Sequence, residues 1–373
     1  MKIGVPTEVK NNEFRVGVTP SGVAELVAQG HEVVVQSGAG VGSLLSDDAY
    51  AAAGAVVVGD AGAAWDAELV VKVKEPEPEE YGFLREDLAL FTYLHLAASQ
   101  ECTEALLAAG TAAIAYETVQ LGSGALPLLQ PMSEIAGRLA TVVGAYHLMK
   151  ETGGAGVLLG GIAGTPRANV VVLGAGVAGE HAIANAIGMG ADVTVLDVAM
   201  PRLRTIQEKY GPAVTTRVSS AYEIAAAVER ADLVVGAVLV PGAHAPRLVT
   251  DAMIAGMRPG AVLVDIAIDQ GGCFEGSRPT THDDPTFQVH DALLYCVTNM
   301  PGAVPQSSTR ALTNATLPYI VEIADWGWRL ALQQDPALAQ GLNTCAGRVT
   351  NRGVAQAFDL DAISVSTALA GGW

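Results

Sequence analysis

The segment Val170-Val-Val-Leu-Gly174-Ala-Gly176-Val-Ala-Gly179 constrains the fold of this chain more than any other. A β-branched run that enters a glycine-punctuated turn and leaves in an Ala/Ile-rich helical pattern opens a βαβ unit. Gly174 permits the tight bend, Gly176 admits a pyrophosphate close to the backbone, and Gly179 lets the new helix lie against the sheet. Val177 and Ala178 then start a helix whose free N–H groups and positive dipole end form an anion site. The next β-like run, Val193 onward, ends at Asp197, 18 residues after Gly179, where an acid meets the adenosine ribose hydroxyls of a dinucleotide. The residue after it is Val198 rather than Arg, which points to NAD over NADP, with Arg202 and Arg204 as the nearest cations.

Short β-like runs alternate with helical patterns almost from end to end, so the expected class is α/β, with two Rossmann-like domains built on parallel sheets. The first set of strands is expected near Lys2–Val5, Glu32–Gln36, Ala55–Val58, Leu69–Val73, Ala89–Tyr93 and Ala112–Ala115. A helix over Pro20–Gln29 should be capped by Thr19. The pattern restarts with strands near Val170–Leu173, Asp192–Leu196, Leu233–Ala237 and Val262–Ile266. Long helices are expected over Pro131–Lys150 and Leu312–Leu332. This predicts an NAD-binding domain over 131–305 and a substrate domain made of 1–130 plus 306–373, with the active site in the cleft between them.

A net charge of −18 repels polyanions and excludes nucleic acid as the expected partner. Cys102, Cys273, Cys296 and Cys345 are scattered, without metal-type spacing, as in a reducing compartment. Met1 leads at once into a strand-like run with no leader pattern, and no 18-residue apolar span is present, so a cytoplasmic protein without membrane contact is expected. The acidic, proline-containing stretch Glu75 to Glu80 reads as a solvated linker.

Four residues could carry chemistry. Arg15, in a polar turn after the first strand, is either a bidentate grip for a small carboxylate or an arginine paired with Glu8 or Glu13. Lys74 stands at the carboxyl end of a strand, where it could polarise a carbonyl, or it and Lys72 are a solvated edge pair. His95 also follows a strand and suits proton transfer near neutrality, or is a satisfied core side chain. Asp269 lies just past a nucleotide-domain strand, facing the cleft or forming an Asx turn into Gly271 and Gly272. An anion clamp, a proton carrier and a carboxylate beside a nicotinamide are what oxidation of a small amino or hydroxy acid requires.

The phrases NNEFRVGVTP (11–20), VVKVKEPEPEEYG (70–82), LFTYLHLAAS (90–99), AYETVQ (115–120), PLLQPMSEIAGRLATVVGAYHLMK (127–150), VVVLGAGVAG (170–179), SSAYE (219–223), LVVGAVLVPGA (233–243), MRPGAVLVDIAIDQGGCFEGSRPTTHDDPTF (257–287) and ALTNATLPYI (311–320) resemble bacterial alanine dehydrogenases across nearly the whole chain. The resemblance implies interconversion of L-alanine with pyruvate and ammonium, NAD as cofactor, and a homo-oligomer, a hexamer. It implies Arg15 and Lys74 at the substrate, and His95 with Asp269 as the catalytic pair. At the cofactor it implies Ser133, Val177, Ala178, Asp197, Arg202, Ser219, Val238, Leu239, Ile266, Ala267, Ile268, Asp269, Arg278, Val297, Thr298, Asn299 and Met300. Some members carry a Glu and a His four apart on the late helix as a metal site; here the positions hold Glu322 and Trp326, and no metal is expected. The nearest rival is the nucleotide-binding subunit of proton-translocating transhydrogenase, and a third reading is a non-catalytic NAD-sensing module. Lys74 and His95 favour the dehydrogenase.

Overall fold

The computed structural model describes residues 1–238 and 245–371, which divide into two compact units, Met1–Met132 with Val304–Trp373 and Ser133–Ala303. In the first unit, strands β1 (Lys2–Val5), β2 (Glu32–Gln36), β3 (Val56–Val58), β4 (Leu69–Val71), β5 (Ala89–Thr92) and β6 (Ala112–Ala115) run parallel, in the order β3-β2-β1-β4-β5-β6. In the second, β7 (Asn169–Leu173), β8 (Asp192–Asp197), β9 (Val214–Val218), β10 (Leu233–Gly236), β11 (Val262–Asp265) and β13 (Ala292–Tyr295) are also parallel, with β12 (Thr286–Val289) antiparallel on the β13 edge. Their order, β9-β8-β7-β10-β11-β13-β12, repeats the doubly wound arrangement of the first unit. From the C-terminal segment, β14 (Leu342–Cys345) joins β6 antiparallel, and β15 (Arg348–Val349) completes that edge.

The strand sequences explain the layering. Central strands β4, β5, β6, β10 and β11 are buried at every position, as Val/Leu/Ala runs covered on both faces require, whereas the outer strand β9 buries only Val214 and exposes Thr215, Arg217 and Val218. In the second unit, Val170, Val172, Val193, Val195, Val235 and Val264 form one core layer with Ala182, Ile183 and Ala186 of the helix Val177–Gly188. The opposite layer, Val171, Leu173, Val234 and Leu263, packs on Ile224, Val228 and Phe274.

Most helices start at a sequence-coded cap. Thr19 accepts from Gly22 N–H at the head of Pro20–Ala28, with Pro20 in the first turn. The expected long helix over 312–332 is two helices. Pro305–Trp326 ends where Gly327 adopts φ 77° and ψ 146°, a backbone state helical residues do not occupy, and Trp328–Gln334 follows. The stretch Glu75–Glu80 is not a solvated linker: Pro78–Phe83 forms a short helical turn, and Glu80 is 3% exposed.

Candidate active site

Arg15 and Lys74 follow β1 and β4, the neighbouring strands between which the first sheet reverses its direction of winding. Crevices outside the carboxyl ends of strands at such a reversal are where open α/β sheets hold ligands. His95 follows β5, the next strand along, and Glu117 follows β6 beyond it. Four polar side chains are thereby delivered to one edge of the sheet by four adjacent strands.

Arg15 combines the two readings of its sequence context. It is 2% exposed, and its Nε and Nη2 donate side-on to Glu13 at 2.7 and 2.6 Å, with Nη1 turned toward the Met132 sulfur at 3.1 Å. Burial alone would lower the guanidinium's pKa, but Glu13 more than offsets it and the charge is held. Lys74 is half-buried, and its backbone is fixed from two sides: its N–H donates to Glu8 at 3.3 Å and its carbonyl accepts from the Thr92 hydroxyl at 2.9 Å. Beneath it, Lys72 is no edge residue. It is fully buried between Glu80 at 2.7 Å and Glu8 at 3.1 Å, and these two carboxylates keep it charged against the cost of desolvation. Glu75 is paired with Lys10; burial would raise its carboxyl, but Lys74, Lys10 and His95 outweigh that and hold it below the usual range.

His95 takes a left-handed backbone conformation, φ 49° and ψ 35°, and its side chain is 34% exposed. The ring meets Tyr93 edge-on at 5.9 Å between centroids. Glu117 Oε1 accepts the His95 N–H at 2.7 Å and lies 3.6 Å from Nδ1. Glu117 lies within the phrase AYETVQ (115–120), but its contact with His95 spans 22 positions and no local signal tied it to that residue.

The second unit gathers the dinucleotide candidates in the same way. Gly174, Gly176, Val177, Ala178 and Gly179 follow β7, Asp197 ends β8, Ser219 follows β9 and Val238 follows β10. Ile266–Asp269 follows β11, and Val297–Met300 follows β13. The carboxyl edge of every parallel strand thus contributes. Gly174 has φ 101°, and a Cβ on Gly179 would stand 1.8 Å from the Gly174 carbonyl oxygen, so the helix can approach the strand only without a side chain there. At Gly176 a Cβ would meet nothing nearer than Arg202 at 3.7 Å, so the turn is open where a phosphate would lie. The residues present fit a dinucleotide.

Asp197 is 7% exposed, with Oδ2 accepting from Ala175 N–H and Oδ1 from Ala199 N–H, both at 2.7 Å, and Arg202 is 4.0 Å away. It therefore pins the glycine turn to the end of β8. Ser133 lies on the helix Gln130–His147, which the close approach of Gly137 to the Ala178 backbone sets against the same turn. Asp269 is exposed in the helical turn Ile266–Gln270, and Gly271 and Gly272 that follow are left-handed. The Asx role weighed for Asp269 belongs instead to Asp265. It is fully buried and accepts from Ala267 N–H, Cys273 N–H and the Ser277 hydroxyl, and burial pushes its carboxyl up despite those bonds. Arg278 is exposed with its guanidinium over the Phe287 ring. Leu239 lies outside the described residues. Glu322 and Trp326 stand on Pro305–Trp326, and among the described residues no group of three or more His, Cys, Asp or Glu side chains is placed to hold a metal ion.

Comparison with known proteins follows this division. Residues 4–136 match the family model "Alanine dehydrogenase/PNT, N-terminal domain", and residues 140–352 match "Alanine dehydrogenase/PNT, C-terminal domain". The chain belongs to the alanine dehydrogenase/PNT family. Within the family, it is 62% identical over 356 residues to an alanine dehydrogenase of Mycobacterium tuberculosis, covering 95% of this chain and 96% of that one. A solved L-alanine dehydrogenase superposes with a TM-score of 0.93 at 51% identity, covering 96% of this chain and 99% of the other. A transhydrogenase of Sinorhizobium meliloti superposes at 0.80 and 27% identity, covering 94% and 99%. The family's dehydrogenase branch is thus much nearer in sequence than the transhydrogenase branch.

Proposed function

We propose that the chain catalyses the reversible NAD-dependent oxidative deamination of L-alanine: L-alanine, NAD⁺ and water give pyruvate, ammonium, NADH and a proton. One observation carries the site assignment: Arg15, Lys74 and His95 follow three adjacent parallel strands and meet one edge of the first sheet, two of them across its winding reversal. When bound, NAD supplies the hydride acceptor for the alanine Cα. In this reading the Gly174–Gly179 turn holds the pyrophosphate and Asp197 the ribose. Ser133, Arg202, Ser219, Val238, Leu239, the Ile266–Asp269 and Val297–Met300 segments and Arg278 line the remainder of the cofactor site. The 1–130 plus 306–373 part serves the substrate and 131–305 the cofactor.

Arg15 and Lys74 hold the carboxylate and draw charge toward the carbonyl oxygen as it develops. His95 takes a proton from the water that attacks the iminium carbon and returns one to the departing amine as pyruvate forms. Asp269 stabilises the cationic amine and iminium states.

His95→Ala should lower turnover by roughly 10² to 10⁴ while NADH affinity and Tm stay near wild type. Arg15→Ala and Lys74→Ala should raise the pyruvate KM steeply, Lys74→Ala lowering turnover as well. A His95→Ala enzyme with near-normal turnover would sink the assignment. NAD should outperform NADP because Asp197 repels a 2′-phosphate, and equal efficiency with NADP would overturn that preference.

A homo-oligomer, specifically a hexamer, is part of the same proposal. It is supported by the exposed apolar side chains Val142 and Tyr146 on the helix Gln130–His147, Met149 just past its end, and Trp326 and Leu330 near Gly327. Light scattering at micromolar concentration that returned a monomer mass would remove it. No helix among the described residues is long and apolar enough to cross a membrane. Four free, buried cysteines support a cytoplasmic location, which cell fractionation would test.

A further inference from the structure

The left-handed conformation of His95 is uncommon for a residue with a side chain. Here one carboxylate bonds two successive backbone N–H groups at that turn. Glu117 accepts the His95 N–H at 2.7 Å and also takes the preceding Leu94 N–H, at 3.2 Å to Oε2 and 3.3 Å to Oε1. The same Oε1 faces His95 Nδ1 at 3.6 Å. That nitrogen is buried and has no hydrogen-bond partner, although the ring as a whole is a third exposed. We infer that Glu117 is the positioning residue of His95: it clamps the backbone turn and, with its charge 3.6 Å from Nδ1, favours the tautomer that keeps the ring proton on Nδ1, leaving the Nε2 lone pair as the one that meets the reacting molecule.

The chemistry follows from the two ring nitrogens. In neutral imidazole one nitrogen carries the proton and the other accepts, and a carboxylate, being acceptor-only, selects the tautomer that places the proton beside it. Nδ1–H toward Glu117 therefore makes Nε2 the base, and after Nε2 gains a proton the cation still faces a negative charge. The other groups near the ring do not compete for this role. Tyr93 presents an edge-on ring at 5.9 Å, and Glu75, whose charge reaches His95, is already engaged by Lys10 and Lys74.

This inference rests on His95 as the proton carrier, and its test separates the two. Glu117→Gln can keep an oxygen at the Oε1 position for the His95 N–H but removes the negative charge that faces Nδ1, which lets the ring proton move onto Nε2. At pH 8, carbethoxylation of His95 by diethyl pyrocarbonate, followed by peptide mass spectrometry, reads that nitrogen without reference to turnover. The expected result is a rate about fivefold lower than wild type, the ratio one net hydrogen bond sets. Turnover should fall with it while NADH affinity and pyruvate KM change less than about twofold, because substrate contacts are untouched.

Glu117→Asp, which remains acceptor-only, should keep the His95 labelling rate within about twofold of wild type and restore most of the turnover. A loss there as large as in the Gln variant overturns the tautomer argument, and this arm holds even if the Gln variant does not fold. An unchanged labelling rate in folded Glu117→Gln overturns it too. Normal turnover in His95→Ala alongside the labelling difference would instead refute the catalytic reading of His95 and leave Glu117's positioning role standing.

Discussion

Glu13→Gln tests directly how Arg15 is held. The Glu13 side chain has no exposure and that of Arg15 only 2%, and the two meet through bonds of 2.6 and 2.7 Å. The glutamine keeps the shape and removes the charge, and its amide nitrogen cannot accept from the guanidinium. Removing one member of a buried ion pair costs about 3–5 kcal/mol, because the remaining charge stays in the interior with its main counter-charge gone. For a domain of this size each kcal/mol moves the midpoint by about 2–4 °C, so Tm should fall by roughly 6–20 °C. Scanning calorimetry of wild type, Glu13→Gln, and Glu13→Leu combined with Arg15→Leu measures it. The double variant strands no charge and should lose less than the single one. If Arg15 also grips the substrate carboxylate, saturating pyruvate with NADH should raise Tm more in Glu13→Gln than in wild type, since a new carboxylate replaces the missing one. A single-variant Tm within about 2 °C of wild type, or a double variant less stable than the single, would refute the reasoning.

Two further outcomes follow from the second unit. Gly179→Ala puts a methyl where the Gly174 carbonyl oxygen would be 1.8 Å away, so the helix Val177–Gly188 must shift; the cost should be about 1–3 kcal/mol, with weaker NADH binding by fluorescence titration, and unaltered affinity and Tm would count against it. His147 is 7% exposed, and burial lowers its pKa. Protons then prefer the unfolded chain, so its contribution to stability is full above about pH 6.5, the unfolded value, and is lost below it as pH falls through the lower folded-state value. His147→Phe, which preserves ring contacts with Tyr146 and Tyr295, should flatten the decline of Tm between pH 7 and 5, and parallel slopes would contradict this.

The legible parts of this chain were the local ones. The β-branched runs of β7 and β10, the Thr19-Pro20 cap and the glycine turn each announce themselves within a few residues, and each is where the sequence places it. Lys72 was not legible as buried, because its partners Glu8 and Glu80 lie 64 residues before it and 8 after it in the chain, and only the sheet brings all three together. Apolar periodicity runs on through Gly327, so the break between the two late helices is set by one residue's backbone and leaves no mark on the pattern. Among the candidate site residues, strand ends identified Lys74 and His95, and the local sequence offered Glu13 beside Glu8 as a partner for Arg15; Glu117, which holds His95 in place, became apparent only from the geometry.

The antiparallel pairing of β14 with β6 imposes an order on synthesis. The second unit is one continuous stretch and has everything it needs once Ala303 has left the ribosome. The first unit does not, because the edge of β6 stays unpaired until Leu342–Cys345 emerges, more than 200 residues after it. For that interval the nascent chain carries an open hydrophobic sheet edge, the kind of surface that recruits other chains or chaperones. A ribosome stalled between the emergence of Ala303 and that of Leu342 would therefore hold a finished second unit tethered to an aggregation-prone partner, and truncation before Leu342 should reduce soluble yield although it removes no residue of the site.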